Sequence, residues 1–373
     1  MTFFAQSMPV GDTIALIVWT GLLTGMFVAA YGFIILRRYV RIVLNILDDY
    51  SPLPENGNGH HQPLHGEEVR FHAADGQRLQ GLFISNRTSE PARGMVLFAH
   101  EFGSVRASCM RYCHSLLDAG YDLFTFDFRG HGYSATETGY RPRHWPSDRE
   151  AADMLGAIAF VTSWLEEQGR PRSVGLFGIS RGAGAALLAA ERTEDVRAIV
   201  VDGAFSSDTL IEYMMKRFAT TFARIKVVAR NHPAAMWRFL RWMLFRDCAR
   251  RFQCRFPSLR KVVARLKNKP ILFIHGEKDS YIPVAQSVDL HRLARGPKEL
   301  WIVQGAKHNQ SVLTAPDEYA RRLIGFYDQY LASRPARQTA PATLRFELPP
   351  ITAGADQKAA VYAGGVLETV RTR

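Results

Sequence analysis

The longest apolar run of the sequence lies near its N-terminal end. Residues Ile14 to Leu36 include no charged side chain over 23 positions, enough for a helix to cross a bilayer core of about 30 Å. Arg37, Arg38 and Arg41 follow directly and no Lys or Arg precedes the run, whereas a signal peptide carries a basic region before a shorter apolar stretch. The pattern predicts a single-pass transmembrane helix over 14–36 in the inner membrane, with residues 1–13 outside and the remainder facing the cytoplasm.

The rest of the chain divides by composition into three parts. Residues 37–65 are interpreted as a juxtamembrane segment and a linker, because Pro, Gly, Asn and His dominate its second half. A folded domain is expected over 66–332. Residues 333–373 are rich in Ala, Pro and Thr with few large apolar side chains, which predicts a disordered tail.

Apolar runs of strand length recur through the predicted domain, and from the third onward helix-like stretches separate them. This alternation is typical of an α/β fold with a doubly wound, mostly parallel eight-stranded sheet, while the turn between the first two runs predicts an antiparallel edge. The predicted strands are Glu68–His72, Leu79–Ile84, Met95–Ala99, Asp122–Phe126, Val174–Phe177, Ala198–Val201, Ile271–Ile274 and Leu300–Val303. The predicted helices include Ser108–Ala119, Asp148–Glu167 and Pro283–Ala294.

The positive charge of the chain is concentrated in one segment. The formal net charge is +12, and residues 206–268 contain 15 Lys and Arg against 3 Asp and Glu. Aromatic and Met side chains alternate with Arg there at helix-like spacing, between the sixth and seventh predicted strands, so a helical lid insertion is expected. No nucleic-acid-binding motif accompanies the charge, which makes an anionic membrane surface the expected partner rather than nucleic acid.

The four cysteines, Cys109, Cys113, Cys248 and Cys254, form no C-x-x-C pair. They are expected to be buried free thiols in a reducing compartment. Cys109, Cys113 and the neighbouring His114 would share one helix face, but no further ligands complete a metal site. Neither a metal ion nor an organic cofactor is expected.

The stretch "FGISRG" carries the first chemical signal. Ser180 stands between an apolar strand-like run and an alanine-rich helix-like run, with Gly178 and Gly182 two positions away on either side. A sharp strand-to-helix turn of this kind exposes a serine hydroxyl above the sheet edge, and small residues let helix and strand approach closely. The pattern predicts that Ser180 is a nucleophile.

A serine nucleophile needs a base, and the base needs an orienting acid. "HGEKDSYIP" places Asp279, and also Glu277, just after the seventh predicted strand, and "QGAKHNQ" places His308 after the eighth. The carboxyl ends of parallel strands share one sheet edge, so these groups are expected to converge. The predicted acid is Asp279, with Glu277 as the alternative, and the predicted base is His308.

Together with "FDFRGHGYS" at 126–134, these motifs resemble the α/β-hydrolase superfamily over roughly residues 66–332. The similarity is to bacterial serine hydrolases of the serine-aminopeptidase-like and esterase-like type. It implies an oxyanion hole made by the backbone N–H groups of Arg181 and of Phe102 in the loop "LFAHEFGS". Glu101 replaces the usual glycine there, and either pairs with Arg181 or faces solvent.

The leading hypothesis is a membrane-anchored serine hydrolase that cleaves carboxylic esters or thioesters, in the manner of a carboxylesterase, lipase or thioesterase. Its substrate is expected to be an acyl ester or lipid-like molecule. A peptidase or amidase of the same fold is the first alternative, because the same three side chains serve amide cleavage. A catalytically idle hydrolase fold acting as a membrane scaffold is the alternative from another functional class.

Overall fold

The computed structural model describes residues 9–49, 64–222 and 233–332. The predicted tail 333–373, most of the predicted linker and the first eight residues lie outside the described residues. The predicted domain boundaries therefore remain predictions where they fall in those segments.

The centre of the fold is an eight-stranded sheet in the order β1-β2-β4-β3-β5-β6-β7-β8. β2 pairs antiparallel with β1 and with β4, and every other neighbouring pair is parallel. The doubly wound, mostly parallel α/β sheet with an antiparallel edge is thus confirmed. The strands are β1 Glu67–His72, β2 Arg78–Ile84, β3 Met95–Ala99, β4 Asp122–Asp127, β5 Val174–Ile179, β6 Val196–Asp202, β7 Ile271–Gly276 and β8 Lys298–Val303.

Helices cover both faces of the sheet, as the near-continuous apolar strands require. One buried cluster joins the sheet to α3, α4, α7 and α8, and a second joins the opposite face to α2, α9 and α10. Beyond the sheet lie α1 and the lid helices α5 and α6. The helices are α1 Val10–Asp49, α2 Cys109–Asp118, α3 Asp148–Glu167, α4 Arg181–Ala190, α5 Ser207–Phe222, α6 Ala234–Phe252, α7 Leu259–Val263, α8 Ala285–Leu293, α9 Ser311–Thr314 and α10 Pro316–Tyr330.

α1 is one uninterrupted helix of 40 residues, about 60 Å long at 1.5 Å per residue. Its first part carries exposed apolar side chains, among them Trp19 and Phe27. In the described part of the chain it is the one helix long and apolar enough to cross a membrane, which makes it a candidate membrane anchor. The helix continues through the predicted end of the span at Leu36 into the juxtamembrane segment.

The second part of α1 packs on the lid, the segment between β6 and β7. Val40, Val43 and Leu44 of α1 are buried in a third hydrophobic cluster, which includes Leu240 and Leu244 of α6. Polar contacts support this packing: Arg37 Nη1 lies 2.6 Å from Asp247 Oδ2, and Tyr39 donates to the backbone oxygen of Met215 at 2.8 Å. The candidate anchor and the lid thus share one apolar core.

Candidate active site

Ser180 occupies a strained turn between β5 and α4. Its backbone has φ 52° and ψ −112°, a left-handed conformation that is unfavourable for a residue with a Cβ. The neighbouring glycines explain how this turn closes: a Cβ on Gly178 would lie 2.5 Å from Ala183 Cα, and one on Gly182 would lie 2.2 Å from the backbone oxygen of Ala99. The turn therefore holds the hydroxyl of Ser180 at the carboxyl edge of the sheet.

The structure brings Ser180, His308 and Asp279 together in one hydrogen-bonded chain. Ser180 Oγ lies 3.0 Å from His308 Nε2, and His308 Nδ1 lies 2.6 Å from Asp279 Oδ2. Asp279 and His308 come from the loops that follow β7 and β8, so all three groups sit beyond the carboxyl ends of parallel strands. With Nδ1 donating to the carboxylate, Nε2 is free to accept the serine proton.

Asp279 is held as a carboxylate by its surroundings. Burial opposes ionisation, but hydrogen bonds from His275 and His308 and the charge of His308 lower the pKa of Asp279 below its ordinary range. The backbone N–H groups of Tyr281 and Ile282 donate to its other oxygen at 2.9 and 2.7 Å. An acid fixed at both oxygens orients the imidazole that it contacts.

The alternative acid, Glu277, is engaged elsewhere. Its carboxylate accepts the backbone N–H of Gly305 at 2.8 Å at an exposed position. Asp279 is thus the predicted acid that the structure brings to His308. His275 was missed by sequence reasoning, although it lies in β7 and begins the motif "HGEKD". Its Nε2 lies 3.4 Å from Asp279 Oδ2.

The two predicted oxyanion donors lie on adjoining elements. Arg181 begins α4 directly after Ser180, and Phe102 follows β3, the strand beside β5. In the described ranges, neither backbone N–H donates to another protein group. The contact of Gly182 with the backbone of Ala99 and His100 brings the two turns against each other. Both N–H groups are therefore available to an oxygen bound near Ser180.

The structure does not pair Glu101 with Arg181, and it leaves Glu101 partly exposed. Its half-buried carboxylate accepts from Ser108 Oγ at 3.2 Å and lies 3.4 Å from the hydroxyl of Tyr112, away from Arg181. The reason is that the fully buried Arg181 side chain extends in another direction, between the rings of Phe102 and Phe128 at 5.1 and 5.3 Å. The carboxylate near it is the buried Glu150 of α3, at 3.5 Å.

Two buried histidines surround the Arg181 guanidinium in neutral form. Burial, and next the charge of Arg181, lowers the pKa of His100 to about 3 and that of His131 well below its ordinary value. His131 Nε2 accepts from Arg181 Nη2 at 3.2 Å, and His100 Nε2 accepts the backbone N–H of Phe128 at 3.2 Å. His131 therefore supports the loop beside the site.

Other residues of that motif are also tied into the fold. Asp127 accepts the backbone N–H of Arg106 at 2.8 Å, and Arg129 pairs with the buried Asp153 at 2.6 Å. Nothing in the sequence around Asp153 or Glu150 singled them out, because they lie on a long amphipathic helix with an ordinary capping pattern. Their role becomes visible only when α3 packs under the loop.

Aromatic side chains line the approach to Ser180. The ring of Phe102 lies 4.1 Å from that of His144, and the ring of Tyr281 lies 5.4 Å from that of His308. Burial, followed by the nearby Arg181 and Arg143, lowers the pKa of His144 to about 4. Tyr281 thus lies beside His308, and Phe102 packs against an imidazole whose protonation is disfavoured.

The described His, Cys, Asp and Glu side chains form no cluster suited to a metal ion. Within residues 9–49, 64–222 and 233–332, no group of three or more His, Cys, Asp and Glu side chains could hold a metal ion. Cys109, Cys113, Cys248 and Cys254 are all buried, and none of the four forms a disulfide bond. The arrangement at Ser180 supplies a nucleophile, a base and an acid from protein side chains.

Comparison with known proteins places this site in context. A family model described as the alpha/beta hydrolase family matches residues 96–322. The chain is 27% identical over 225 residues to the uncharacterized protein YqkD of Bacillus subtilis, covering 59% of this chain and 66% of that protein. It is 26% identical over 220 residues to the lysophosphatidylserine lipase ABHD12 of Danio rerio, covering 57% of this chain and 50% of that protein.

Solved structures share the same architecture. The esterase Pf2001 of Pyrococcus furiosus superimposes with a TM-score of 0.51 at 20% sequence identity, covering 72% of this chain and 94% of the esterase. This likeness concerns the fold. α1 lies outside residues 96–322, which the family model matches, and the chain spans about two thirds of YqkD and half of ABHD12.

Proposed function

Because the chain belongs to the alpha/beta hydrolase family, we propose that it is a membrane-anchored serine hydrolase that cleaves carboxylic esters or thioesters through an acyl-enzyme. The observation that carries the proposal is the hydrogen-bonded chain from Ser180 through His308 to Asp279. A strained serine at a helix N-terminus, a base at 3.0 Å and a fixed carboxylate are the parts that acyl transfer requires.

In the first half of the reaction, Ser180 Oγ attacks the acyl carbon while its proton passes to His308 Nε2. The carbonyl oxygen becomes an oxyanion that accepts hydrogen bonds from the N–H groups of Phe102 and Arg181. Collapse of this intermediate breaks the bond to the leaving alcohol or thiol, which takes the proton from His308. Asp279 holds the imidazole in the required tautomer and stabilises its protonated form.

In the second half, water repeats the same steps in reverse roles. His308 takes a proton from water, the oxygen attacks the acyl carbon of the ester on Ser180, and the same two N–H groups bind the oxyanion. Breaking the bond to Ser180 Oγ releases a carboxylic acid and returns the proton to the serine. Every group required belongs to the protein or to water.

A lipid-like acyl ester is the substrate class that we propose. The lid packs on α1, and α1 has the length and apolar surface of a membrane span. The relative ABHD12 is a lysophosphatidylserine lipase, which supports an ester borne by a lipid. On this proposal the domain faces the cytoplasm from the inner membrane, and the basic lid rests on the anionic surface.

A fluorophosphonate probe tests the nucleophile directly. The full-length protein in membranes should be labelled, and Ser180→Ala should abolish the labelling and reduce ester hydrolysis by at least about 1,000-fold. A panel of ester, thioester and peptide substrates then assigns the bond type. Faster cleavage of peptides than of esters would support the peptidase alternative, and absence of both labelling and hydrolysis in wild type would support an idle scaffold.

Alanine variants of Asp279 and Glu277 form a matched pair that tests which carboxylate orients His308. Asp279→Ala should lower kcat by at least about 1,000-fold with little change in KM, because the imidazole loses its orienting partner. Glu277→Ala removes the neighbouring carboxylate, which accepts the backbone N–H of Gly305 instead of contacting His308. This variant should keep kcat within about threefold of wild type. A larger loss in Glu277→Ala would reverse the assignment.

A further inference from the structure

A basic cleft lies where α1 meets the lid helix α6. It encloses about 450 Å³. Its lining residues are Arg37, Arg41, Leu44, Asn45, Asp247, Arg250 and Arg251. None of them belongs to the site around Ser180. The cleft exists because α1 continues as a helix past its apolar run and docks on α6.

The charges in this cleft are unbalanced. Arg37 pairs with Asp247 at 2.6 Å, and Arg251 donates to Asn45 at 2.9 Å. Among the described residues, the exposed Arg41 and Arg250 make no ion pair. Arg41 and Arg250 thus bring two guanidinium groups to this cleft without a carboxylate partner among the described residues, and their mutual repulsion falls when an anion enters. One guanidinium group can donate two parallel hydrogen bonds to two oxygens of a phosphate. A phosphate is therefore the anion that these arginines fit best.

An apolar surface continues from the basic cleft. A second cleft of about 580 Å³ shares Arg37, Arg41 and Asn45 with the first and is lined also by Phe33 and Ile34. Phe33 and Ile34 lie in the apolar run of α1, and both are exposed. A ligand that carries both a phosphate and a hydrocarbon chain would fill the two clefts together.

The cleft lies at one defined depth along α1. Arg37 is the first charged residue after the 23-residue uncharged run, so with α1 in a bilayer these arginines reach the level of the lipid phosphates. The stacked rings of Phe239 and Trp242 are exposed on α6, and Trp is typical of the membrane interface.

We propose that this cleft is a binding site for one anionic phospholipid, separate from the substrate site. The phosphate contacts Arg41 and Arg250, and an acyl chain follows Phe33 and Ile34. The inference rests on the membrane-anchoring part of the proposed function, and does not depend on the ester chemistry. A bound lipid would join α1 to the lid, because Arg41 and Arg250 stand on the two different helices.

The test uses full-length protein in non-ionic detergent, stripped of lipid and then titrated with phosphatidylglycerol or phosphatidylcholine. Bound lipid is counted by native mass spectrometry, and the unfolding temperature is followed in parallel. Wild type should bind one phosphatidylglycerol in preference to phosphatidylcholine and unfold at a higher temperature with it. The Arg41→Gln/Arg250→Gln variant should bind phosphatidylglycerol at least about tenfold more weakly.

A matched control separates a site from diffuse charge. Arg238→Gln/Arg255→Gln removes two exposed arginines of the lid outside the cleft, and should keep wild-type lipid binding. Equal losses in the two double variants would overturn the proposal, as would equal binding of the two lipids. Millimolar inorganic phosphate that displaces phosphatidylglycerol and gives the same stabilisation would identify a soluble phosphate as the ligand and overturn the lipid assignment.

Hydrolysis of a small water-soluble ester, measured on the same samples, keeps the two proposals apart. All variants should retain wild-type rates, because the cleft arginines do not contact Ser180 or His308. Wild type that binds the lipid but hydrolyses no ester would refute the hydrolase and leave the lipid site standing. Wild type that hydrolyses the ester but binds no lipid would refute the site alone.

Discussion

At the scale of single residues, the geometry around Ser180 depends on glycines that have no side chain. Gly182 has no Cβ, and this allows the first turn of α4 to contact the backbone oxygens of Ala99 and His100. Ala99 is the last residue of β3, and His100 begins the loop that carries Phe102. The distance between the two N–H groups proposed for the oxyanion is thus set by a backbone contact rather than by a side chain.

Gly182→Ala should therefore damage the site more than an average helix substitution. Its Cβ would lie 2.2 Å from the oxygen of Ala99, and the overlap should lower the free energy of unfolding by about 1–3 kcal/mol. It should also lower kcat for a small ester by at least about tenfold, because the two donor turns move apart. Urea unfolding and steady-state kinetics measure the two effects.

Gly325→Ala is the control for this change. Gly325 lies exposed in α10, and an added Cβ meets nothing within 4 Å. Replacing glycine by alanine in an open helix should raise the free energy of unfolding by about 0.5–1 kcal/mol and leave kcat unchanged. Similar effects of both substitutions would mean that the contact at Ala99 does not position the site.

The buried His100 makes stability depend on pH. Its pKa of about 3 in the folded chain lies below the ordinary 6.5, because burial and then Arg181 oppose its protonation. Below pH 6.5 the unfolded chain binds a proton that the native chain does not. The free energy of unfolding should then fall as the pH drops toward 3, with this residue contributing up to about 1.4 kcal/mol per pH unit.

His100→Gln should flatten this dependence, because glutamine retains a donor and an acceptor but does not titrate. Urea unfolding at pH 7 and pH 5 measures the slope. The same substitution at the exposed His114 of α2 should keep the wild-type slope. An unchanged slope in His100→Gln would show that the native state accommodates the protonated imidazole.

At the scale of secondary-structure elements, the two parts of α1 have different environments. The first presents apolar side chains outward, whereas Val40, Val43 and Leu44 are at most 8% exposed against the lid. The boundary expected at Leu36 is therefore a change of surroundings within one continuous helix. A truncated chain must therefore retain the second part of α1, including Val40, Val43 and Leu44, if the apolar core of the lid is to stay intact.

Two truncations should behave differently for this reason. Deleting residues 1–36 should yield a soluble domain that hydrolyses a small ester at the wild-type rate. Deleting residues 1–49 also removes the three buried side chains, each worth about 1.5–3 kcal/mol of apolar burial, and should lower the unfolding temperature and promote association. Thermal unfolding and size-exclusion chromatography compare them. Equal stability would show that the docking of α1 contributes nothing to the fold.

Most of the parallel strands were predictable because each contains a short run of large apolar side chains, such as Ile271–Ile274 in β7. Asp122–Phe126, for example, was expected, and Asp122–Asp127 is observed. The convergence of Ser180, Asp279 and His308 followed from the rule that parallel strands end at one edge. These features depend on local pattern and on sheet topology, both of which the sequence expresses directly.

The contacts that escaped prediction join elements far apart in the chain. Glu150 approaches Arg181 only when α3 packs beside α4, and no local pattern distinguishes it from an ordinary N-terminal helix acid. In the same way, Val40 and Leu44 read as the continuation of an apolar helix, since their partners lie some 200 residues later. Side-chain direction and long-range docking decide such contacts.

At the scale of the whole molecule, two apolar cores lie on opposite faces of the sheet, and a third joins the lid to α1. The cluster that buries Val40 and Leu44 also contains Phe205, which follows β6, and Ile282, whose backbone N–H binds Asp279 at 2.7 Å. The lid is thus packed against the loop of the proposed acid on one side and against α1 on the other. The lid therefore lies between the loop of the proposed acid and the candidate membrane anchor, and contacts both.

The docking of α1 on the lid has a kinetic consequence. With α1 in a bilayer, the hydrolase body is held against the surface, so it searches for substrate over an area instead of a volume. For the lipid-like substrate proposed above, the concentration that matters is then the mole fraction of substrate among the lipids. Adding inert lipid at a fixed amount of substrate dilutes the substrate in two dimensions and slows its turnover, while a freely dissolved ester is consumed as before.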